Sequence, residues 1–116
     1  MRHQVKGTKF GRKKGDRNNF LAVLQHNLIM EESICTTVAR ARALRPKVEK
    51  MITLAKKQNL ASLRILKSRL PEKSAFKLYY EVAPKYATRP GGYLTIIKTA
   101  KHRMRDGADM AHIKFI

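Results

Sequence analysis

Residues 37–55 read TVARARALRPKVEKMITLA. Within them Ala41, Leu44, Val48, Met51, Ile52 and Ala55 recur at i, i+3, i+7, i+10, i+11 and i+14, which lines one face of an α-helix with apolar side chains. Arg40, Arg42, Lys47 and Lys50 fall mainly on the other faces. Thr37 stands where an N-cap belongs, since its hydroxyl can accept a hydrogen bond from a first-turn amide. Pro46 removes one backbone donor and crowds the preceding turn, so a kink or a division into two helices is expected there. No other stretch has so clear a stripe, and such a helix needs other elements to cover it.

On the N-terminal side, Phe20, Leu21, Leu24 and Leu28 recur at helical spacing. They predict a helix over residues 17–30, with Asp16 as its N-cap and Glu31-Glu32 at its end. Residues 33–36, containing Ile34 and Cys35, read as a short strand. On the C-terminal side, Asn59 is placed to cap a helix carrying Leu60, Leu63, Leu66 and Leu70. Pro71 suits the first turn of a fourth helix. Ala75, Phe76, Tyr79, Val82 and Ala83 give that helix an apolar face, and Pro84 is expected to end it. Residues 88–92 (TRPGG) form a turn. Residues 94–99 (LTIIKT) and 110–116 (MAHIKFI) alternate as strands, the second with Ala111, Ile113 and Phe115 on one face and His112 and Lys114 on the other. Two strands alone are marginal in water, so helices must cover them. The predicted order is α-β-α-α-α-β-β, an α+β layer architecture.

The first 17 residues, MRHQVKGTKFGRKKGDR, contain seven Lys or Arg and one acid. Besides Met1, only Val5 and Phe10 are large and apolar, too little to offset the cost of ordering the segment by itself. At 116 residues the chain divides into a basic arm, residues 1–15, and a single domain, residues 16–116. Lys and Arg number 26 against 8 acids, a net charge of +18. Self-repulsion of that size calls for a polyanionic partner, nucleic acid first and an anionic membrane surface second. No apolar run reaches the ~18–20 residues of a membrane span, and no h-region follows the basic start. Cys35, the one cysteine, excludes an internal disulfide and is expected to be buried or half-buried.

Catalytic groups do not assemble in the sequence. His3, His26, His102 and His112 show no HxxxH or HExxH spacing, so no metal or other cofactor is expected. Glu31 and Glu32, adjacent on a helix, would point about 100° apart. Neither GxxxxGK[ST] nor GxGxxG occurs. No small-molecule substrate is implied. Cations concentrate in four places: the arm, Arg40-Arg42-Arg45-Lys47, Arg64-Lys67-Arg69, and Lys98-Lys101-His102-Arg103-Arg105. His3 and His102 are placed to assist phosphate contact. Lys56-Lys57 and Lys73 read as a solvated face. Phe20, Phe76 and Phe115 read as core. Phe10, Tyr86 and Tyr93 lie among basic residues and fit stacking on unpaired bases; for Tyr86 and Tyr93, packing beside the hairpin fits equally.

Read together, these stretches resemble a known family. Met1-Arg2-His3 and Gly7 open the match. It continues through Thr36-Thr37, Arg40-Ala41-Arg42, Leu44-Arg45, Glu49 and Ile52-Thr53-Leu54-Ala55-Lys56. It ends with Pro84-Lys85-Tyr86, Arg89, Gly91-Gly92-Tyr93, Ile97-Lys98 and Met110-Ala111. In order and spacing the chain is similar to the bacterial large-subunit ribosomal proteins of the L-seventeen family. It departs from the family's usual residues at Asp16, Glu31, Leu94-Thr95, Arg105 and Asp109. The resemblance implies an α+β fold with a small mixed three-stranded sheet, covered by helices. It also implies a structural, non-catalytic role without a cofactor, bound to large-subunit ribosomal RNA and to neighbouring large-subunit proteins near the polypeptide exit. The start at the family's own first residues favours a bacterial source and a cytoplasmic ribosome.

The expected RNA-binding residues are Arg2, His3, Lys6, Lys9, Arg12, Lys13, Lys14 and Arg17 in and beside the arm. On the body they are Arg40, Arg42, Arg45, Arg89, Tyr93, Lys98, Lys101, Arg103 and Arg105. The principal alternative is an architectural DNA-binding protein, against which stands the lack of a helix-turn-helix or β-arm signature. A basic ribonuclease would need two histidines such as His3 and His102 to converge. A membrane-surface helix is the weakest rival, because the amphipathic faces are needed for a core.

Overall fold

The computed structural model describes residues 7–116. Its centre is helix α2 (Val38–Ala55), whose Ala41, Leu44, Val48, Ile52 and Ala55 are fully buried. The Thr37 hydroxyl caps it by accepting from the Arg40 amide at 3.3 Å. The helix runs through Pro46 without a break, so the chain does not divide there. Arg42 and Pro46 are both exposed, so the Arg42 carbonyl that loses its amide donor can turn to water instead.

Helix α1 (Lys14–Glu31) begins earlier than the apolar pattern suggested. Lys13 is its N-cap residue, and the Arg17 amide donates to the Lys13 carbonyl at 2.8 Å. Asp16 therefore lies inside the first turn, where its charge favours the positive end of the helix dipole, rather than at the cap. The helix ends on a left-handed Glu32 (φ 64°), whose amide donates to the Leu28 carbonyl at 2.7 Å, a closure usually made by glycine.

The chain then enters strand β1 (Ser33–Thr37) and α2. Helix α3 (Leu60–Arg69) is capped by Asn59, which accepts from the Ser62 amide at 2.7 Å. Leu66 and Leu70 are buried, but Leu60 is 60 % exposed and only opens the helix. Helix α4 (Glu72–Lys77) starts one residue after Pro71. It passes directly into a π-helical turn (Leu78–Val82) and a 3-10 turn (Ala83–Tyr86). Pro84 thus lies inside the tight final turn, where its missing amide is not needed, instead of ending the helix before it. The Gln58 side-chain amide ties the end of α2 to this segment, donating to the Ala55 and Tyr79 carbonyls at 2.8 and 2.9 Å.

Strands β2 (Leu94–His102) and β3 (Asp109–Phe115) form a hairpin, and β1 adds to the free edge of β3. The order is β1-β3-β2, antiparallel throughout rather than mixed. Ser33 faces Lys114 and Thr37 faces Met110, so β1 runs against the central strand just as β2 does. Strand β2 runs past residue 99 because, after an irregularity beyond Lys98, His102 pairs with Asp109. The helices cover one sheet face, with Ala111 and Ile113 fully buried. Cys35, His112 and Ile97 share one level of the other face and are exposed. The strand alternation that sends Ile34 and Thr36 inward turns Cys35 outward, where it is exposed, contrary to the expectation that it is buried or half-buried.

Phe20, Phe76 and Phe115 are half-buried at the margins of the core rather than within it. Tyr86 and Tyr93 lie inside, 7 % and 2 % exposed, with ring centroids 5.3 Å apart. Burial pushes the Tyr86 phenol above its usual range against the opposing Arg89 charge, so it stays protonated and donates to the Ile116 carbonyl at 2.8 Å.

Leu66→Ala should lower unfolding free energy by about 2–5 kcal/mol, while Leu60→Ala on the same helix should change it by no more than ~0.5 kcal/mol. Denaturant melts of the two variants check this. Equal losses would contradict the orientation of α3.

Candidate nucleic-acid interface

Of the seventeen candidate residues, Arg2, His3 and Lys6 lie outside the described residues. The rest fall into three groups. The first is built around Phe20. Phe10, in a turn with φ 53°, and Gly11 reverse the chain just before α1, and the Arg12 amide closes the turn on the Lys9 carbonyl at 3.1 Å. The Phe10 ring meets Phe20 edge-on at 5.7 Å. The Arg12 guanidinium lies 3.9 Å from the Phe20 ring centroid and donates to the Phe10 carbonyl at 2.8 Å. Arg40, from the first turn of α2, reaches the same ring at 4.9 Å. One aromatic ring thus holds an arginine from the arm and an arginine from the central helix. A guanidinium stacked on a ring keeps its edge N–H groups free to donate, so the pair can still grip phosphate oxygens. Lys9, Lys13 and Lys14 are exposed beside it, and Arg17 is half-buried.

The second group lies along α2 and the β2 approach. Arg42 is exposed. Arg45 is partly engaged: its Nε lies 3.2 Å from Glu49 Oε1, and the same oxygen accepts from the Leu94 amide at 3.3 Å. Glu49 thereby joins the central helix to the start of β2. Lys56, read from the sequence as solvated, is a structural strut. Its Nζ donates to the Tyr93 hydroxyl at 2.9 Å and to the Arg89 carbonyl. Arg89 Nε lies 3.2 Å from the Gly91 and Gly92 carbonyls and shapes the turn. The buried Tyr93 ring presents no face for a base to stack on; its hydroxyl donates to the Arg89 carbonyl at 3.3 Å. The same burial withdraws Tyr86 from stacking.

The third group is the hairpin end. Lys98, Lys101 and Arg105 are exposed, and Met104 at the tip is fully exposed. Arg103 is committed to Asp106, with Nε 2.9 Å from Oδ1 and a second contact between Nη2 and Oδ2. Those hydrogen bonds hold the Asp106 carboxyl far below the usual carboxylate range, and the Ala108 amide adds to the effect. Because the folded value is depressed, the pair is complete above the unfolded carboxylate value of ~3.9 and is lost only as pH falls through the folded one. His102 is also occupied, with Nδ1 2.9 Å from Asp109 Oδ1.

Five of the eight acids therefore lie within 4.0 Å of an internal basic partner. Among the described residues no carboxylate comes that close to Lys9, Arg12, Arg40, Arg42, Arg89, Lys98, Lys101 or Arg105. Sequence reading missed the role of Phe20, although an aromatic at the first helix's exposed start, between two basic segments, was a usable signal.

Outward cations and acids used as internal ties make this a basic α+β protein. The model of the family described as Ribosomal protein L17 matches residues 20–116. The large ribosomal subunit protein bL17 of Persephonella marina is 47 % identical over 118 residues, covering 100 % of this chain and 95 % of that protein. Its counterpart in a Sulfurihydrogenibium species is 43 % identical, covering 100 % and 97 % respectively. That of Orientia tsutsugamushi is 45 % identical, covering 100 % and 80 %. The chain belongs to the ribosomal protein L17 family, whose members are structural rather than enzymatic. No helix among the described residues is long and apolar enough to cross a membrane.

Phe20→Ala should release the arm from α2. Limited trypsin digestion should then cleave after Arg12 and Lys13 several-fold faster, with the circular dichroism of the body preserved. An unchanged cleavage rate would show that Phe20 does not hold the arm.

Proposed function

We propose that this chain is a structural constituent of the large ribosomal subunit that binds large-subunit ribosomal RNA through its basic arm and the basic surface of its body. The observation that carries the reading is the shared ring of Phe20, which brings Arg12 and Arg40 together. Two cations held on one ring raise the local positive potential, which dense negative charge neutralises. Family membership supplies the setting.

In this reading residues 1–15 are the arm and residues 16–116 the folded body. Arg2, His3 and Lys6 extend the phosphate contacts that begin at Lys9, and Lys98, Lys101 and Arg105 provide a second contact area at the hairpin. Most contacts go to phosphates and position the RNA without reading its sequence. Recognition comes from RNA shape and 2′-hydroxyls. Neighbouring large-subunit proteins near the polypeptide exit are the further partners. Arg103, Arg45 and Tyr93 contribute indirectly, by shaping the surface from which the free cations project.

Binding of the purified protein to large-subunit ribosomal RNA should weaken steeply with salt, with a slope of roughly 0.7–0.9 per phosphate contacted. The double variant Arg12→Ala, Arg40→Ala should lower that slope by about one to two. Affinity that barely moves between 50 and 200 mM salt would overturn the reading. Deleting residues 1–13, up to the first helical residue, should leave the body folded by circular dichroism and impair incorporation into large subunits. Normal incorporation would remove the arm from the proposal.

A further inference from the structure

Helix α1 stands between two cationic surfaces. Phe20, with Arg12 and Arg40 at its ring, lies on one flank. Asn18 and Ala22 are each two residues from Phe20 and so point about 200° away round the helix. They line a cleft of about 390 Å³ that Lys47 and Lys50 of α2 and Arg69 of α3 also line. A second cleft, of about 270 Å³ between α2 and α3, shares Lys50 and Arg69 with the first and adds Lys57. The two clefts therefore adjoin. No acid lines either of them, and among the described residues none of the four cations has a carboxylate within 4.0 Å. All four are exposed. Leu21 and Met51 in the first cleft, and Leu54 and Ile65 in the second, give apolar patches beside the charges. Lys47 and Lys57 are ten residues apart, ~15 Å along α2, a span that several successive phosphates can occupy. Buried Val48, Ile52 and Leu66 lock both helices, so the spacing of these cations is held by packing.

The geometry points to this α2–α3 surface as a second RNA site, so that one copy of the protein joins two RNA segments. The sugar–phosphate backbone of the second segment lies against Lys47, Lys50, Lys57 and Arg69. The planar fork of Arg69 suits two oxygens of one phosphate, while the lysines act as point charges. Ribose edges rest on the apolar patches. An RNA helix seated on the Phe20 flank of α1 leaves the other flank open, and four cations without an acid beside them keep a positive potential there that a second polyanion neutralises. The contacts are to backbone and carry no base reading. Lys57, which reads from the sequence as part of a solvated face, belongs to this site. The inference rests on the RNA-binding reading above.

The test is a bridging assay on the full chain. One RNA stem-loop is immobilised, the protein is added below its amount, and retention of a second, fluorescent, non-complementary stem-loop is read. Binding to large-subunit ribosomal RNA is measured in parallel. Wild type should retain the second RNA. The triple variant Lys50→Ala, Lys57→Ala, Arg69→Ala should bind the immobilised RNA within about threefold of wild type but retain the second roughly fivefold less or worse. The control Lys73→Ala, Lys85→Ala, Lys114→Ala removes the same charge from three exposed positions outside both surfaces and should bridge as wild type does. Circular dichroism verifies that both variants fold. Undiminished retention by the first variant, or equal loss in both, would overturn the second site, the latter by tracing bridging to total charge. If wild type binds ribosomal RNA with a steep salt slope but never retains the second stem-loop, the second site fails and the RNA reading stands. If wild type binds none of the RNAs, both fall.

Discussion

Every layer of this protein depends on burying one face of α2. Ala41, Leu44, Val48, Ile52 and Ala55 are closed to water, and α2 touches α1, α3, all three strands and both tight turns that follow α4. The short hairpin would be marginal without that cover. The apolar stripe also determines where the charges go. Once one face of an 18-residue helix is committed to the core, Arg40, Arg42, Arg45, Lys47 and Lys50 are left on its other faces. Cations carried on a helix locked by packing hold their spacing better than cations on a loop.

The second constraint is electrostatic. A chain with 26 Lys and Arg and 8 acids cannot neutralise itself. Five of its eight acids are used as internal ties. Glu49 joins α2 to the start of β2, Glu32 meets Lys77, and Asp106 and Asp109 tie the two sides of the hairpin end. Glu32, Glu49 and Asp106 each engage one cation and use it to shape local structure. Arg103, held by Asp106, and Lys56, held by the Arg89 carbonyl and the Tyr93 hydroxyl, are architectural, while among the described residues no carboxylate lies within 4.0 Å of Arg12 or Arg40. Aromatic rings make the same division. Phe20 carries two guanidinium groups at the surface, whereas Tyr93 disappears into the core with its hydroxyl engaged by Lys56 and the Arg89 carbonyl.

The α-β-α-α-α-β-β order was legible in the sequence, because the apolar periods of α1, α2, β2 and β3 differ and because Thr37 and Asn59 are unambiguous caps. The misreadings share a cause. Asp16 looks like a cap, but Lys13 takes that position once the turn at Phe10 and Gly11 has set the direction of the chain. Leu60 fits the leucine spacing of α3 but precedes the part of that helix that packs. Cys35 is apolar by type but falls on the outward side of a strand whose inward positions go to Ile34 and Thr36. Lys56 reads as a solvated charge, because its partners Arg89 and Tyr93 are more than thirty residues away along the chain.

By itself, then, the sequence determined which segments become helix or strand, the size of the positive charge, the absence of an assembled catalytic motif and the family resemblance. These are local or summed properties, and residue spacing and composition express them directly. Only the tertiary structure decided that the sheet is antiparallel throughout. It alone decided which cations serve as struts and that one ring gathers Arg12 and Arg40. Those features depend on contacts between residues distant in the chain. Such contacts follow from how α2 is covered, and no periodicity along the sequence encodes them.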